Sequence, residues 1–162
     1  MVSSDSRSTG DVASHQSYGQ MGPEETRAIL RSVGLRCTPQ RLAIYQTLRR
    51  SSHPTAEELH ATVTEGMPVS LATVYNTLDA FCSAGIILRL PSRSGVCRYC
   101  GEGKAHLHLR LEGKDELLDV PADLGGRILD SLPADVLESI ESRMGIKIKG
   151  IDIQLSGTRQ HG

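Results

Sequence analysis

The stretch SLATVYNTLDAFCSAGIILRLPSRSGVCRYC, residues 70–100, decides the fold. Ser70 is a good helix N-cap, and Leu71, Val74, Leu78 and Phe81 follow it at helical spacing. Gly85 stops that helix. Two short apolar runs, Ile86–Leu90 and Val96–Cys100, flank Pro91-Ser92-Arg93-Ser94-Gly95, so the spacing predicts a β-hairpin with a turn-rich loop. Three more helices are expected upstream. Pro23, Glu24 and Glu25 open the first, Ile29, Leu30 and Val33 give its apolar face, and Gly34 ends it. Thr38-Pro39 opens the second, with Leu42, Ala43, Tyr45 and Leu48 along its stripe. Thr55 and Glu58 form a capping box at the start of the third. Four helices followed by a hairpin predict a winged-helix unit over residues 23–100, in which the helix before the wing enters the DNA major groove.

The chain downstream reads differently. His106-Leu107-His108-Leu109-Arg110-Leu111-Glu112 alternates with a period of two, as a half-buried strand does. A turn at Gly113-Lys114-Asp115 leads to a second strand, Leu117–Val120. Helices are expected at 123–131 and 133–144, and Ile146, Ile148, Ile151 and Ile153 mark a closing strand with a bulge at Gly150. The whole is an α+β chain. It comprises a Ser/Gly/Gln-rich tail (1–22), expected to be disordered, the winged helix (23–100) with a hinge at its end, a small α/β unit (101–155) and a short flexible tail (156–162). The α/β unit has too few apolar strands to enclose a large core alone, which points to a homodimer.

Composition narrows the function classes. The net charge of −1 over 162 residues excludes a histone-like or polybasic protein. It hides an asymmetry of +3 over residues 23–100 against −3 over 101–162. With no Trp and one Phe, the core is expected to be aliphatic. No apolar run approaches the ~20 residues of a membrane span, and the N-terminal stretch lacks the apolar segment of a secretory signal. Cys37, Cys82, Cys97 and Cys100 are therefore expected in a reducing cytoplasm, where metal binding or burial is favoured over disulfides.

On the expected recognition helix, Tyr75 and Asn76 lie off the apolar stripe, where they can meet base edges of a double-stranded DNA operator. Ser70 and Thr73 are placed for phosphate contacts, and Arg36, Arg41, Arg49, Arg50 and Arg89 for neutralising backbone charge. A second constellation suits a metal. His106 and His108, two apart on a strand, share a face. Cys100 ends the preceding strand near the hinge, Asp119 lies on the next strand, and His53 lies in the front half. Ligands drawn from both halves would couple metal occupancy to their relative orientation.

Three blocks, Leu35-Arg36-Cys37-Thr38-Pro39-Gln40-Arg41, His53-Pro54-Thr55-Ala56-Glu57-Glu58-Leu59 and Ala72-Thr73-Val74-Tyr75-Asn76-Thr77-Leu78, resemble the ferric uptake regulator (Fur) family in order and spacing. The resemblance covers about residues 23–155 and implies a dimeric metal-responsive transcription regulator. It implies that His106 and His108 are the paired sensory histidines. Cys100 stands where iron and peroxide sensors carry an acid and zinc sensors a cysteine, which favours Zn2+ over Fe2+ or Mn2+. By the same resemblance Asp119 and His53 are candidate ligands. Zinc sensors take another ligand near Leu88, and leucine cannot ligate. The resemblance leaves the fourth ligand open, with Asp119 and His53 the leading choices, and both together would make a five-coordinate, less zinc-like site. The family's structural tetrathiolate cannot form, because Leu111-Glu112-Gly113-Lys114 replaces its Cys-x-x-Cys pair and the C-terminal tail has no cysteine.

Cys97 and Cys100, three apart on a straight strand, point to opposite faces, so Cys97 is expected to pack within the wing. Cys37 and Cys82 are expected to be small buried groups, and His60 a surface residue. The leading expectation is a zinc-dependent repressor. An iron, manganese or peroxide sensor of the same family is the alternative, and a thiol-redox switch using Cys97 and Cys100 is a second. A metalloenzyme with Glu102 as base would leave the front half without a role.

Overall fold

A computed structural model of the chain describes residues 21–92, 94–103, 106–113, 116–151 and 153–160. Nearly all of the expected N-terminal tail, His15, His161, Arg93 of the hairpin loop and Lys114-Asp115 of the expected turn lie outside the described residues.

Four helices open the chain: α1 (Pro23–Ser32), α2 (Pro39–Arg50), α3 (Ala56–Thr64) and α4 (Leu71–Ser83). Each of the last three starts where a side chain satisfies an orphan backbone amide. Thr38 Oγ1 accepts from Arg41 N at 3.3 Å and Ser70 Oγ from Thr73 N at 3.1 Å. At α3 the box is reciprocal: Thr55 Oγ1 accepts from Glu58 N at 3.1 Å, and Glu58 Oε2 accepts from Thr55 N at 2.9 Å. The helices bury Leu30, Ile44, Leu48, Leu59, Val74, Leu78 and Phe81 against one another. The core is not purely aliphatic, as composition suggested. Phe81 meets Tyr45 edge-on, with centroids 5.5 Å apart, and Tyr99 joins the same cluster.

The wing follows as β1 (Leu88–Leu90) and β2 (Arg98–Cys100), paired antiparallel with Leu88 opposite Cys100. Both strands are two residues shorter than expected. At β1 the reason is the end of α4: Gly85 N bonds Cys82 O, Ile86 N bonds Phe81 O, and Gly85 takes a φ of 72°. That Schellman closure uses the amide of Ile86, so the ladder starts later.

The rear unit contains β3 (His108–Leu111), β4 (Glu116–Asp119), α5 (Ala122–Asp130), α6 (Ala134–Met144) and β5 (Gln154–Gly157). Its sheet has the order β4-β3-β5, with β3 antiparallel to β4 and parallel to β5. Two expectations need correction. The closing strand is not 146–153 but Gln154–Gly157, which runs past the boundary drawn at 155. Gly145 ends α6 in the left-handed region at φ 64°. Glu141 then draws the chain back, since its carbonyl accepts from Ile146 N and its Oε1 from Ile148 N at 2.8 Å. Those amides are satisfied locally and enter no ladder. The central strand is also buried on both faces rather than one: Leu107 and Leu111 point one way, His108 and Arg110 the other, and all four are buried.

The two units meet through the wing. Leu90 and Cys100 of the hairpin pack with Leu117 of β4, flanked by Leu88. Beside them Arg110 Nη2 donates to Pro91 O at 3.0 Å. Phe81→Ala is expected to lower stability by about 3–5 kcal/mol, and Thr55→Ala by about 1 kcal/mol, read as shifts in urea midpoint. Comparable losses from the two would contradict this division between core and cap.

Candidate metal centre

The sheet register builds half of the site. His108 and Asp119 are directly opposed across β3 and β4, so their side chains stand together on one face. His106 comes two residues earlier, just ahead of β3 rather than within it, and still faces the same way. The winged-helix unit supplies the rest. Cys100 is the last residue of β2, and His53 precedes the N-cap of α3. His53 has a φ of 47°, a left-handed conformation that costs a non-glycine residue about 1–2 kcal/mol. It is held there by β2: Arg98 Nη1 donates to His53 O at 2.9 Å and Tyr99 N to Pro54 O at 3.0 Å. Strain fixed by its surroundings in this way marks functional positions.

Donor atoms from His53, Cys100, His106, His108 and Asp119 all lie within 4.8 Å of one another. Asp119 Oδ1 is 3.0 Å from His53 Nε2, 3.2 Å from His106 Nε2 and 3.4 Å from His108 Nε2. Cys100 Sγ is 3.4 Å from His106 Nε2. Ligands about 2.0–2.1 Å from a shared ion in a tetrahedron would sit about 3.3–3.4 Å apart. The sequence left a choice between Asp119 and His53, and the structure brings both to the cluster.

The electrostatics point the same way. Nδ1 and Nε2 of His53 and Nε2 of His108 are buried and find no hydrogen-bond partner among the described residues. Two of these atoms are within reach of Asp119 but badly aligned with it, so attraction survives without a hydrogen bond. Such orphaned nitrogens are costly unless something else satisfies them. Burial alone would push the Cys100 thiol up, but His106, His108 and His53 around it bring it down to about 5. Burial would likewise lower His53, yet the Asp119 carboxylate and Cys100 raise it to about 9. A thiolate and a carboxylate side by side form an anionic pocket that needs a cation. The donor set of three imidazoles, one thiolate and one carboxylate fits a divalent transition metal.

The remaining cysteines stand apart. Cys37, Cys82 and Cys97 are half-buried against the front core, and Leu88 packs beside Cys100. Cys97 and Cys100 thus belong to different packing clusters. His60 is not a simple surface residue: its Nε2 meets Val69 O at 2.9 Å and ties α3 to the segment before α4.

On the face expected to meet DNA, Tyr75 and Asn76 are exposed on α4, and Arg36 is exposed before α2. Arg41 is half-buried and donates to Arg36 O at 3.2 Å. Ser70 Oγ and Thr73 Oγ1 lie 2.8 Å apart at the helix start. Tyr75 OH donates to Glu57 Oε1 at 2.6 Å, a bond that raises the phenol to about 12. Two arginines expected to neutralise phosphates are engaged elsewhere. Arg49 Nη1 donates to Gly101 O at 3.0 Å, while Arg89 pairs with Asp79 and lies 5.7 Å from the centre of the Tyr99 ring. Sequence reasoning missed Glu57, and it missed Arg110, whose place two residues past His108 on an alternating strand could have flagged it as inward-facing.

In the metal-free protein Cys100 is expected to be a thiolate at neutral pH. Its ultraviolet thiolate absorbance, isolated by difference from Cys100→Ser, should vanish only as the pH falls through about 5. Absorbance that first develops near the ordinary thiol range of about 8–9 would contradict the geometry.

The chain matches the ferric uptake regulator family over residues 32–123, which take in all five donors and α4. The peroxide-responsive repressor PerR of Staphylococcus epidermidis (strain ATCC 12228 / FDA PCI 1200) is 38% identical over 98 residues, 59% of this chain and 65% of that protein. This chain therefore spans just under two thirds of that repressor's length. Among solved structures, the ferric uptake regulator of Pseudomonas aeruginosa with manganese has a TM-score of 0.62 at 26% identity, covering 84% of this chain and 98% of that one. A zinc-bound manganese uptake regulator has a TM-score of 0.57 at 27% identity, covering 83% and 98%. On this match and on the winged-helix and α/β architecture behind it, the chain belongs to the ferric uptake regulator family.

Proposed function

We propose that this chain is a metal-dependent DNA-binding transcriptional repressor, active as a homodimer, whose sensory ion is zinc. The observation that carries the reading is the position of Cys100, a buried thiolate among imidazoles at the junction of the two units. A thiolate is a soft ligand that favours zinc over ferrous iron or manganese. His53 and Cys100 would hold the ion from the winged-helix side, and His106, His108 and Asp119 from the sheet; a five-donor set is less zinc-like than four, and it is the thiolate that tips the choice to zinc. Bound there, the ion supplies a cross-link between the units. It stabilises the orientation in which all five donors meet at the expense of those in which they part.

Tyr75 and Asn76 would read base edges, Asn76 by a bidentate pairing with adenine. Ser70, Thr73, Arg36 and Arg41 would hold the phosphates. The exposed apolar side chains of the rear unit, Leu124, Ile128, Val136, Ile140, Met144, Ile146 and Leu155, support a second copy packed against it. A second reading within the same class, an iron, manganese or peroxide sensor (Cys100 counting against the peroxide form), draws on Asp119 and His53. Together they raise the donor count to five and add a hard oxygen ligand.

Native mass spectrometry of metal-free protein titrated with zinc, ferrous iron and manganese separates the readings. The expected result is a dimer that takes one zinc per chain in preference to the others. Preference for iron or manganese would favour the second reading. Cys100→Ser should weaken zinc binding and zinc-dependent operator binding together while leaving the dimer intact. Tyr75→Ala should reduce DNA affinity without touching zinc affinity. Unchanged zinc affinity in Cys100→Ser would falsify the ligand assignment.

A further inference from the structure

The segment joining the two units, Gly101-Glu102-Gly103, is pressed against the winged helix at three points. A Cβ at Gly101 would lie 3.1 Å from Cα and Cδ of Arg49, in the last turn of α2. A Cβ at Gly103 would lie 2.3 Å from Gly85 O and 2.9 Å from Ile86 Cα, where α4 gives way to the wing. Only glycine permits that approach. Between them, the Glu102 carboxylate faces two partners. One oxygen is 3.7 Å from Arg49 Nη1, and the other is 3.8 Å from His106 Nδ1. Arg49 Nη1 also holds Gly101 O at 3.0 Å. His106 turns its other nitrogen, Nε2, to Asp119 and Cys100.

We infer that Glu102, anchored by Arg49, is a positioning residue for the metal centre: it holds His106 with Nδ1 toward a carboxylate and Nε2 toward the ion. The inference rests on the metal reading proposed above. A carboxylate on the far nitrogen of a ligating histidine fixes the ring's tautomer and orientation and makes it a better donor. Here that carboxylate belongs to the linker, and its counter-charge is a side chain of α2. The linker's seat on the helical unit therefore sets how well a sheet histidine presents itself. The Glu102 side chain is partly exposed, so its replacement is expected to leave the fold intact.

The test is zinc affinity of the full chain by competition with a chelating dye, alongside nitrogen-15 NMR of His106 in the zinc-loaded protein. Glu102→Ala should weaken zinc binding about 10- to 100-fold. The Nδ1–H resonance of His106, expected to be sharp in the zinc-loaded wild type where Glu102 accepts from it, should broaden through exchange with water. Arg49→Met should produce a smaller loss of the same kind. The double variant should lose less than the product of the two single losses, because the Arg49–Glu102 contact is common to both, although Arg49→Met also gives up the bond to Gly101 O. Wild-type affinity in Glu102→Ala, an unmoved Nδ1–H signal, or additive losses in the double variant would overturn the inference and leave the metal reading standing. A wild-type chain that takes no zinc at all would sink the metal reading, and this inference with it.

Discussion

Two anionic groups, the Cys100 thiolate and the Asp119 carboxylate, are held among three imidazoles where the winged helix meets the sheet. Removing a charge from water is expensive unless an opposite charge accompanies it. Without an ion, that partner has to be a protonated histidine, which is why His53 is driven upward even though burial works against it. A divalent ion would neutralise both anions and satisfy one buried nitrogen each of His53 and His108 at once. The strained backbone of His53 and the opposed register of His108 and Asp119 exist to bring these atoms together.

The rest of the junction transmits that convergence. Leu88, Leu90 and Cys100 of the hairpin pack on Leu117 of the sheet, and buried Arg110 reaches across to the wing carbonyl of Pro91. From the other side Arg49 holds the linker, while Gly103 lies against the residues that end α4. A shift of the sheet relative to the wing would have to break these contacts together, since packed junctions move between discrete arrangements. Under the proposed metal reading, occupancy of the centre would be linked to the attitude of α4 through this short, continuous path.

Helix starts were plainly legible in the sequence. Thr38, Thr55 and Ser70 each cap as their chemistry dictates, because capping is decided by residues three apart. The five candidate donors could also be named from the sequence: strand period and order along the chain put His106, His108 and Asp119 on neighbouring positions, and the family resemblance singled out Cys100 and His53. That His53 and Asp119 both arrive could not be read, because it depends on the junction between units. The isoleucines from 146 to 153 misled for a similar reason. Their spacing suits a strand, but a side chain seven residues upstream, Glu141, takes the amide of Ile148, and the parallel partner of β3 begins only at Gln154. Aromatic counting misled in part: the core is mostly aliphatic, but Phe81, Tyr45 and Tyr99 are buried within it.

The most direct test of the centre is X-ray absorption spectroscopy of the zinc-loaded chain at the zinc edge. One sulfur neighbour is expected at about 2.3 Å together with nitrogen and oxygen neighbours at about 2.0–2.1 Å, with imidazole scattering beyond them. A first shell of nitrogen and oxygen alone would remove Cys100 from the site. It would contradict the claim that a thiolate at the junction of the two units sets the choice of metal.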